Sequence, residues 1–534
     1  MAEEVTERNG LTRRDALRAG AGAAGGIAFA GGLLGRAIDA MGAPAVIGDG
    51  PYGPLGSPDA NGIRLPAGFS SRVIARTGTD IGPRPYNFHI LPDGMGTYKT
   101  DDGGFILVSN SEMIDLPPLY EIGAASIRFD KNFNVTDAYP ILKNTSVNCA
   151  GGVTPWKTWL SCEEVDRGKV FECDPWGVKP SVDRPALGVF KHEACCVDPA
   201  GKQVYLTEDL GDGCLYRFTP DSYPDLSSGR LDAAVVQEDG KVNWVEVPDP
   251  QFTGLTPTRE QVPGATRFRR GEGMWFDEGT VYFATTQDDR VYAYDPETTY
   301  LEVLYDGVAL GDEAPLNDSD NVTVSPTSGD LYVCEDAGDL QVCIISTEGE
   351  AAAFCQVNLE DHRVSELTGP VFDPTGSRLY FTSQRARFAG EPASAGIVYE
   401  IRGPFRKTRK DPKPKDRRKP TLKVRTLGKP SLKGLVKKGQ PFMLEVRDES
   451  MPVEIEAKLV APLRRPRGRG SRQVTVGRKR LKVTKGGRKQ ILMTVNKGYR
   501  NRLRQRQVAQ ARLIVVAEDA AGNRTRVVKP VSFR

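Results

Sequence analysis

A cysteine and a set of carboxylates recur at matched positions along this 534-residue chain, in a pattern suited to multivalent cations. The segment from Asn148 to Glu164 sets Cys149, the pair Gly151 and Gly152, and the carboxylates Glu163 and Glu164 within one hairpin-sized unit. Thiolates bind transition metals, and carboxylates suit calcium and ferric ions. Four potential ligands each stand six residues before a turn position: Cys149 before Pro155, Glu193 before Pro199, Glu272 before Glu278 and Asp320 before Pro326. A second acidic series follows at Glu112, Glu163 with Glu164, Glu208 with Asp209, Asp288, and Glu335 with Asp336. The chain has only 3 histidines, His89, His192 and His362, which argues against a His-rich zinc site.

Position matters because these residues sit in a repeat. Val197-Asp198-Pro199-Ala200-Gly201 followed by Val204-Tyr205-Leu206-Thr207-Glu208-Asp209 matches Val324-Ser325-Pro326 followed by Leu331-Tyr332-Val333-Cys334-Glu335-Asp336. Further copies begin at Phe276 and Phe372, and Phe276, Val324 and Phe372 are spaced by 48 residues each (324 − 276 and 372 − 324). Shorter echoes run over Phe105–Glu112 and Thr158–Glu164. Six strand–turn–strand units at this period predict an all-β fold, a six-bladed β-propeller. In a propeller the innermost strands line a central channel, so equivalent positions converge on one axis. Cys149, Glu193, Glu272 and Asp320 are therefore predicted to meet. That much negative charge needs counter-ions, since neighbouring carboxylates raise one another's pKa. The aromatics Trp156, Trp159, Trp275, Tyr205, Tyr282 and Tyr332 read as packing between blades.

The net charge of +3 conceals two opposite halves. Residues 403–534 hold 39 Lys+Arg and 9 Asp+Glu, a balance of +30, and the remainder holds 33 and 60, a balance of −27. This divides the chain into an export signal over 1–45, a propeller over 46–403, a basic Pro-rich linker over 404–420 and a basic β-sandwich over 421–534. Alternating segments such as Leu422–Leu427, Phe442–Arg447 and Ala511–Asp519 carry the sandwich prediction. Its ending Glu518-Asp519-Ala520-Ala521-Gly522-Asn523 resembles the last hairpin of bacterial immunoglobulin-like (Ig-like) repeats. A surface of this charge is expected to attract an anionic cell-envelope polymer or lipid head groups. Its few aromatics disfavour nucleic acid.

Thr12-Arg13-Arg14-Asp15 and the Gly/Ala-rich run from Ala19 to Leu34 look like a signal for the twin-arginine translocase, with Ala43-Pro44-Ala45 as cleavage site. The chain is thus expected to be exported: periplasmic, envelope-associated or extracellular. The 9 cysteines between Cys149 and Cys355 leave 8 besides Cys149, enough for four bridges or for buried free thiols.

The segment Asn148–Glu164 closely resembles the signature of the PhoX-type alkaline phosphatases. Further motifs of that family follow in order: Lys191-His192-Glu193, Thr207-Glu208-Asp209 with Leu215-Tyr216-Arg217-Phe218, Glu272-Gly273, Asp320-Asn321 with Cys334-Glu335-Asp336, and Glu366-Leu367-Thr368-Gly369. The resemblance implies two ferric ions (Fe3+) and several calcium ions (Ca2+) serving the hydrolysis of a small phosphate monoester. By position, Cys149, Glu193 and Glu272 fall to the iron pair. Glu112, Glu163, Glu164, Asp320, Glu335, Asp336 and Glu366 are candidates for calcium or bridging positions. Such a centre polarises a phosphoryl oxygen and supplies the nucleophile, so no serine–base system is required. Lys191, Arg217, Arg385 and Arg387 are candidate phosphate donors, with Arg385 also placed among the catalytic residues. Two departures stand out: Asn110-Ser111-Glu112 where the family has Asn-His-Glu, and Thr207-Glu208-Asp209 where it has Gly-Asp-Asp. Alternatives are a calcium-dependent propeller hydrolase of another class (lactonase or phosphotriesterase), which would not need Cys149, and a non-catalytic calcium-stabilised envelope module.

Overall fold

The structure, a computed structural model, describes residues 44–83, 85–113, 122–385, 396–407, 420–447, 452–464, 471–505, 509–518 and 524–533. The twin-arginine motif, most of the basic linker, Arg387 and the Asp519–Asn523 turn lie outside the described residues. No helix among the described residues is long and apolar enough to cross a membrane.

Short, small-residue and β-branched runs punctuated by Asp- and Gly-containing turns favour strands, and strands dominate. Six blade sheets follow one another from Val46 to Arg402, with a two-stranded ribbon of Asp80–Ile81 and Tyr86–Asn87 besides. Their innermost strands are Pro92–Lys99 (blade 1), Asn148–Val153 (blade 2), His192–Asp198 (blade 3), Gly271–Asp277 (blade 4), Ser319–Val324 (blade 5) and Leu367–Phe372 (blade 6). Each packs against the next, and the sixth returns to the first, so they form a closed ring. Closure is secured from the N-terminal side: Ser70–Arg76 pairs with Ile397–Arg402 as the outer strand of blade 6. Val46–Ile47 and Ile63–Arg64 add to the outer edge of blade 5.

The repeated turns have a local cause. In blades 3 and 6 the Asp before the proline folds back on the turn: Asp198 accepts from Ala200 N (2.9 Å) and Gly201 N (3.0 Å), and Asp373 from Thr375 N (2.8 Å) and Ser377 N (2.7 Å). The aromatics fill space as expected. Trp159, Tyr205 and Tyr332 are buried among apolar side chains, and Trp275 and Tyr282 pack partly buried against them. All 9 cysteines are buried and free, so the four-bridge option falls away.

The basic segment forms two sheets around a core of its own. One sheet holds Thr421–Thr426, Gln440–Arg447 and Gly487–Met493; the other holds Val453–Arg464, Ser471–Val483, Gln510–Glu518 and Arg524–Ser532. Leu422, Phe442, Leu444, Ile455, Leu459 and Leu513 face one another between them. Two short helices, Leu432–Lys438 and Lys497–Gln505, pack together at one end.

Candidate metal centre in the propeller channel

The channel is built by one local irregularity repeated six times. Every innermost strand breaks its ladder register near its start, between Pro92 and Met95, Asn148 and Gly151, His192 and Cys195, Gly271 and Met274, Ser319 and Val322, and Thr368 and Val371. Such bulges bend a strand and re-aim its side chains. Here they set Asp93, Cys149, Glu193, Glu272, Asp320 and Thr368 at the second position of the six strands. The residue just past each adjoining strand gives an upper ring: Glu112, Glu164, Asp209, Thr286, Asp336 and Gln384.

Three overlapping triads bring their ligand atoms within 4.8 Å of one another: Asp93, Glu112 and Cys149; Cys149, Glu164 and Glu193; Glu193, Glu272 and Asp320. Cys149 and Glu193 each belong to two of these, so the cluster is continuous across blades 1 to 5. Below it the strands approach too closely for side chains. A Cβ on Gly94 would lie 2.5 Å from Ala150 Cα, and one on Gly273 would lie 2.4 Å from Asn321 Cα. This floor leaves the upper ring as the open face.

Burial governs the electrostatics. Burial first, then Glu112, pushes Asp93 up to about 7. Burial and then Asp209 push Glu272 up to about 8. Glu193 and Asp320 rise well above the carboxylate range through burial and then Glu272. The Cys149 thiol is likewise raised by burial, then by Asp93 and Glu193. Glu193 Oε2 is buried without a hydrogen-bond partner. An unpaired buried carboxylate oxygen is costly, so the site is electrostatically incomplete without cations. Sulfur plus several carboxylates fits a mixed set of transition-metal and hard divalent ions.

Neutral and cationic groups frame the acids. At its two ring positions blade 6 contributes donors: Thr368 Oγ1 to Asp93 Oδ1 (2.7 Å), and Gln384 Nε2 to Asp93 Oδ2 (2.7 Å) and Glu112 Oε2 (2.6 Å). Lys191 Nζ lies 2.6 Å from Glu164 Oε1 and 3.6 Å from Asp209 Oδ2. Arg270 spans three acids, donating bidentately to Asp209 (2.8 and 3.0 Å) and reaching Glu272 (3.0 Å) and Asp336 (3.0 Å). Arg385 pairs with buried Glu366, while its Nε is buried and lacks a hydrogen-bond partner. Beneath the centre, Asn321 Nδ2 donates to Asp320 Oδ1 (2.6 Å) while its oxygen accepts from Gly369 N (3.0 Å).

The structure sorts the acids expected from sequence. Cys149, Glu193, Glu272, Asp320, Glu112 and Glu164 come together; Asp336 and Glu366 stand at the rim beside Arg270 and Arg385. Glu163 and Glu335 do not join them. Glu163 accepts from Ser146 N (3.1 Å) and Lys169 N (3.2 Å), and Glu335 from Asn317 N (3.0 Å) and Gln341 N (2.9 Å). Both close the turn behind the ring, as Glu208 does with Cys214 N (3.1 Å). Side chains alternate along a strand, so of two adjacent acids only one faces the axis. Asp288 pairs with Arg290 (2.9 Å), leaving Thr286 at the ring position of blade 4. Arg217 is remote from the channel: it lies in the third strand of blade 3, paired with Asp232 (2.7 Å) and stacked on Trp244. Sequence reasoning missed Asp93 and Arg270. Asp93 was findable as the blade 1 equivalent of Cys149, and Arg270 as the blade 4 equivalent of Lys191.

The signature glycines have steric reasons: a Cβ on Gly151 would strike Leu160 O and one on Gly152 would strike Cys195 O, each at 2.1 Å. Asn110 holds the cysteine strand, donating to Cys149 O (3.1 Å) and Ala150 O (2.8 Å). The neighbouring Ser111 donates to Ile90 O (2.6 Å), so this departure falls on a side chain engaged with backbone. Residues 123–386 match the family model of alkaline phosphatase PhoX. This propeller belongs to the PhoX family. Asp93 and Glu112 precede the matched stretch, yet both reach the cluster. PhoX phosphatases are metal-dependent hydrolases and are typically exported. No curated protein matches the chain.

Solved structures similar to the chain include a Bacteroides thetaiotaomicron protein of unknown function (11% identity, 62% of this chain and 76% of that one, TM-score 0.40). Others are a luciferin-regenerating enzyme (14% identity, 63% and 96%, TM-score 0.36) and the β-propeller domain of Cps50 (Swd1) from Myceliophteria thermophila (12% identity, 62% and 99%, TM-score 0.34).

Proposed function

We propose that the protein is an exported phosphatase that hydrolyses phosphate monoesters at a centre of two ferric and several calcium ions, reaching its compartment through the twin-arginine pathway. The observation that carries this reading is the run of overlapping triads sharing Cys149 and Glu193. Cys149, Glu193 and Glu272 would hold the iron pair, and Asp93, Glu112, Glu164 and Asp320 the calcium ions. When bound, the metals polarise the phosphoryl group and supply charge neutralisation. The chain's own part is positioning. Asn110 fixes the Cys149 strand, the Gly94 and Gly273 floor closes one side, and the ester enters from the upper ring. Arg385 pairs with Glu366 beside that ring, and its partly exposed guanidinium is suited to orient a phosphate oxygen. Lys191 is committed to Glu164 and Asp209. Arg217 takes no part.

The test is Cys149→Ala, with elemental analysis and a panel of phosphomonoesters, phosphotriesters and lactones. Loss of iron together with monoesterase activity supports the reading. Turnover of a lactone or triester retained without Cys149 replaces it with the calcium hydrolase. Absence of any hydrolysis by the metal-loaded wild-type protein leaves a calcium-stabilised module.

A further inference from the structure

The charge of the C-terminal sandwich is segregated in space. No acidic residue occurs between Glu456 and Glu518, a stretch with 19 Lys+Arg, and none occurs between Asp416 and Glu445. Glu445, Glu454 and Glu456 sit on the sheets, and cations there occupy them. Glu456 meets Lys458 (2.9 Å), Arg480 (2.9 Å) and Arg478 (3.3 Å); Glu454 meets Lys482 (3.5 Å); Glu445 meets Arg447 (3.0 Å). The helix pair Leu432–Lys438 and Lys497–Gln505 lies outside this network. Its Lys433, Lys437, Lys438, Lys497 and Arg504 are exposed, and none has an acidic partner among the described residues.

Unpaired like charges held side by side repel, and a polyanion relieves that repulsion while releasing counter-ions. We infer that this helical end of the sandwich is a docking surface for a linear phosphate polymer. The apolar side chains of the helices are turned inward, with Leu435, Val436 and Leu503 buried. Among the described residues of the domain, Leu492 is the one exposed large apolar side chain, so little is available there to enter a bilayer. Tyr499 packs against the core and Phe442 is buried, which leaves no aromatic platform for bases. What remains is a linear polyanion, and repeating phosphate charge matches a surface of lysine and arginine donors. The inference is independent of the channel's activity.

The experiment titrates the full chain with fluorescent long-chain inorganic polyphosphate at several salt concentrations. In parallel it uses phosphatidylglycerol vesicles and duplex DNA. Binding to polyphosphate should weaken steeply with salt, and Lys433→Glu/Lys437→Glu/Lys438→Glu should lower affinity by about tenfold or more. Arg478→Glu/Arg480→Glu, on the sheet, should cost less than about threefold. Lys497→Ala/Arg504→Ala gives a second, milder route should the triple reversal fail to fold. Unchanged affinity in the helix variants overturns the surface; equal or tighter binding of vesicles or DNA at the same salt overturns the polymer.

Discussion

The two halves of the chain carry opposite excesses of charge, −27 outside residues 403–534 and +30 within them, and the channel and the sandwich use theirs in opposite ways. In the channel the carboxylates are buried at mutual contact distance, where a low dielectric amplifies repulsion and makes bound cations part of the structure. On the sandwich, buried Lys458 apart, the cations of the helix pair and sheet faces stand in water, screened over roughly 10 Å, where they act on a partner at long range. Removing one charge should therefore matter greatly in the channel and little on the sandwich. The sharpest contrast is within the propeller, between Glu193 and Glu163. Glu193→Gln keeps the shape but removes a ligand shared by two triads, and kcat/KM should fall by roughly 1000-fold with loss of bound metal. Glu163→Gln touches only turn amides. It should lower stability by about 1–3 kcal/mol while the folded enzyme keeps its metals. Equal loss of metal in both would erase the distinction drawn between ring and turn.

Chelation sharpens the same contrast through pH. In the metal-free protein Asp93 stays protonated up to about 7 and Glu272 up to about 8. In the unfolded chain both ionise near pH 4. Between these limits the folded state holds more protons, so stability must fall as pH rises from about 4 through about 8. The metal-loaded protein, with these acids already ionised, lacks that slope. Thermal melts with and without chelator at pH 5 and pH 8 should show a gap that widens by several degrees at the higher pH, in line with about 2–4 °C per kcal/mol. A constant gap would mean that these carboxyls do not face the cations.

The repeat made the ring legible because a blade is one unit copied, and a copied offset of six residues is visible in Cys149, Glu193, Glu272 and Asp320. Asp93 escaped because blade 1 has no turn residue of the same kind six positions on; Lys99 stands there, at the end of a strand of 8 residues. The choice between Glu163 and Glu164, or Glu335 and Asp336, was beyond sequence, since a one-residue slip exchanges the two faces of a strand and the register is fixed by the bulge. Arg217 stands in a family motif, but its place in the third strand puts it in a blade interior. Arg270 was obscured because its equivalents in blades 1, 2 and 5 are Leu91, Val147 and Asp318. What those four share is backbone, with φ between 46° and 54°, and no composition argument reveals that.

Arg270 is the intermediate case, a fixed cation among acids. It neutralises Asp209, Glu272 and Asp336 without belonging to any of the triads, so it holds Glu272 in place beside Glu193 and Asp320. Arg270→Met should reduce metal affinity or activity by about 10- to 100-fold, the scale of a lost supporting contact. Lys at this position should restore part of the charge but not the three-way fork. If Met and Lys behave alike, geometry rather than charge is what Arg270 supplies.

At the small end stands Arg480, which is 74% exposed and shares Glu456 with Lys458 and Arg478. Arg480→Ala leaves two cations on that carboxylate and removes a side chain already in water. Exposed pairs of this kind contribute about 0.2–1 kcal/mol. The change should shift the denaturant midpoint by no more than that energy divided by the slope of unfolding, and addition of salt should erase the shift. A larger, salt-resistant loss would mean that the sandwich, like the channel, depends on desolvated charge, and the division between the two halves would no longer hold.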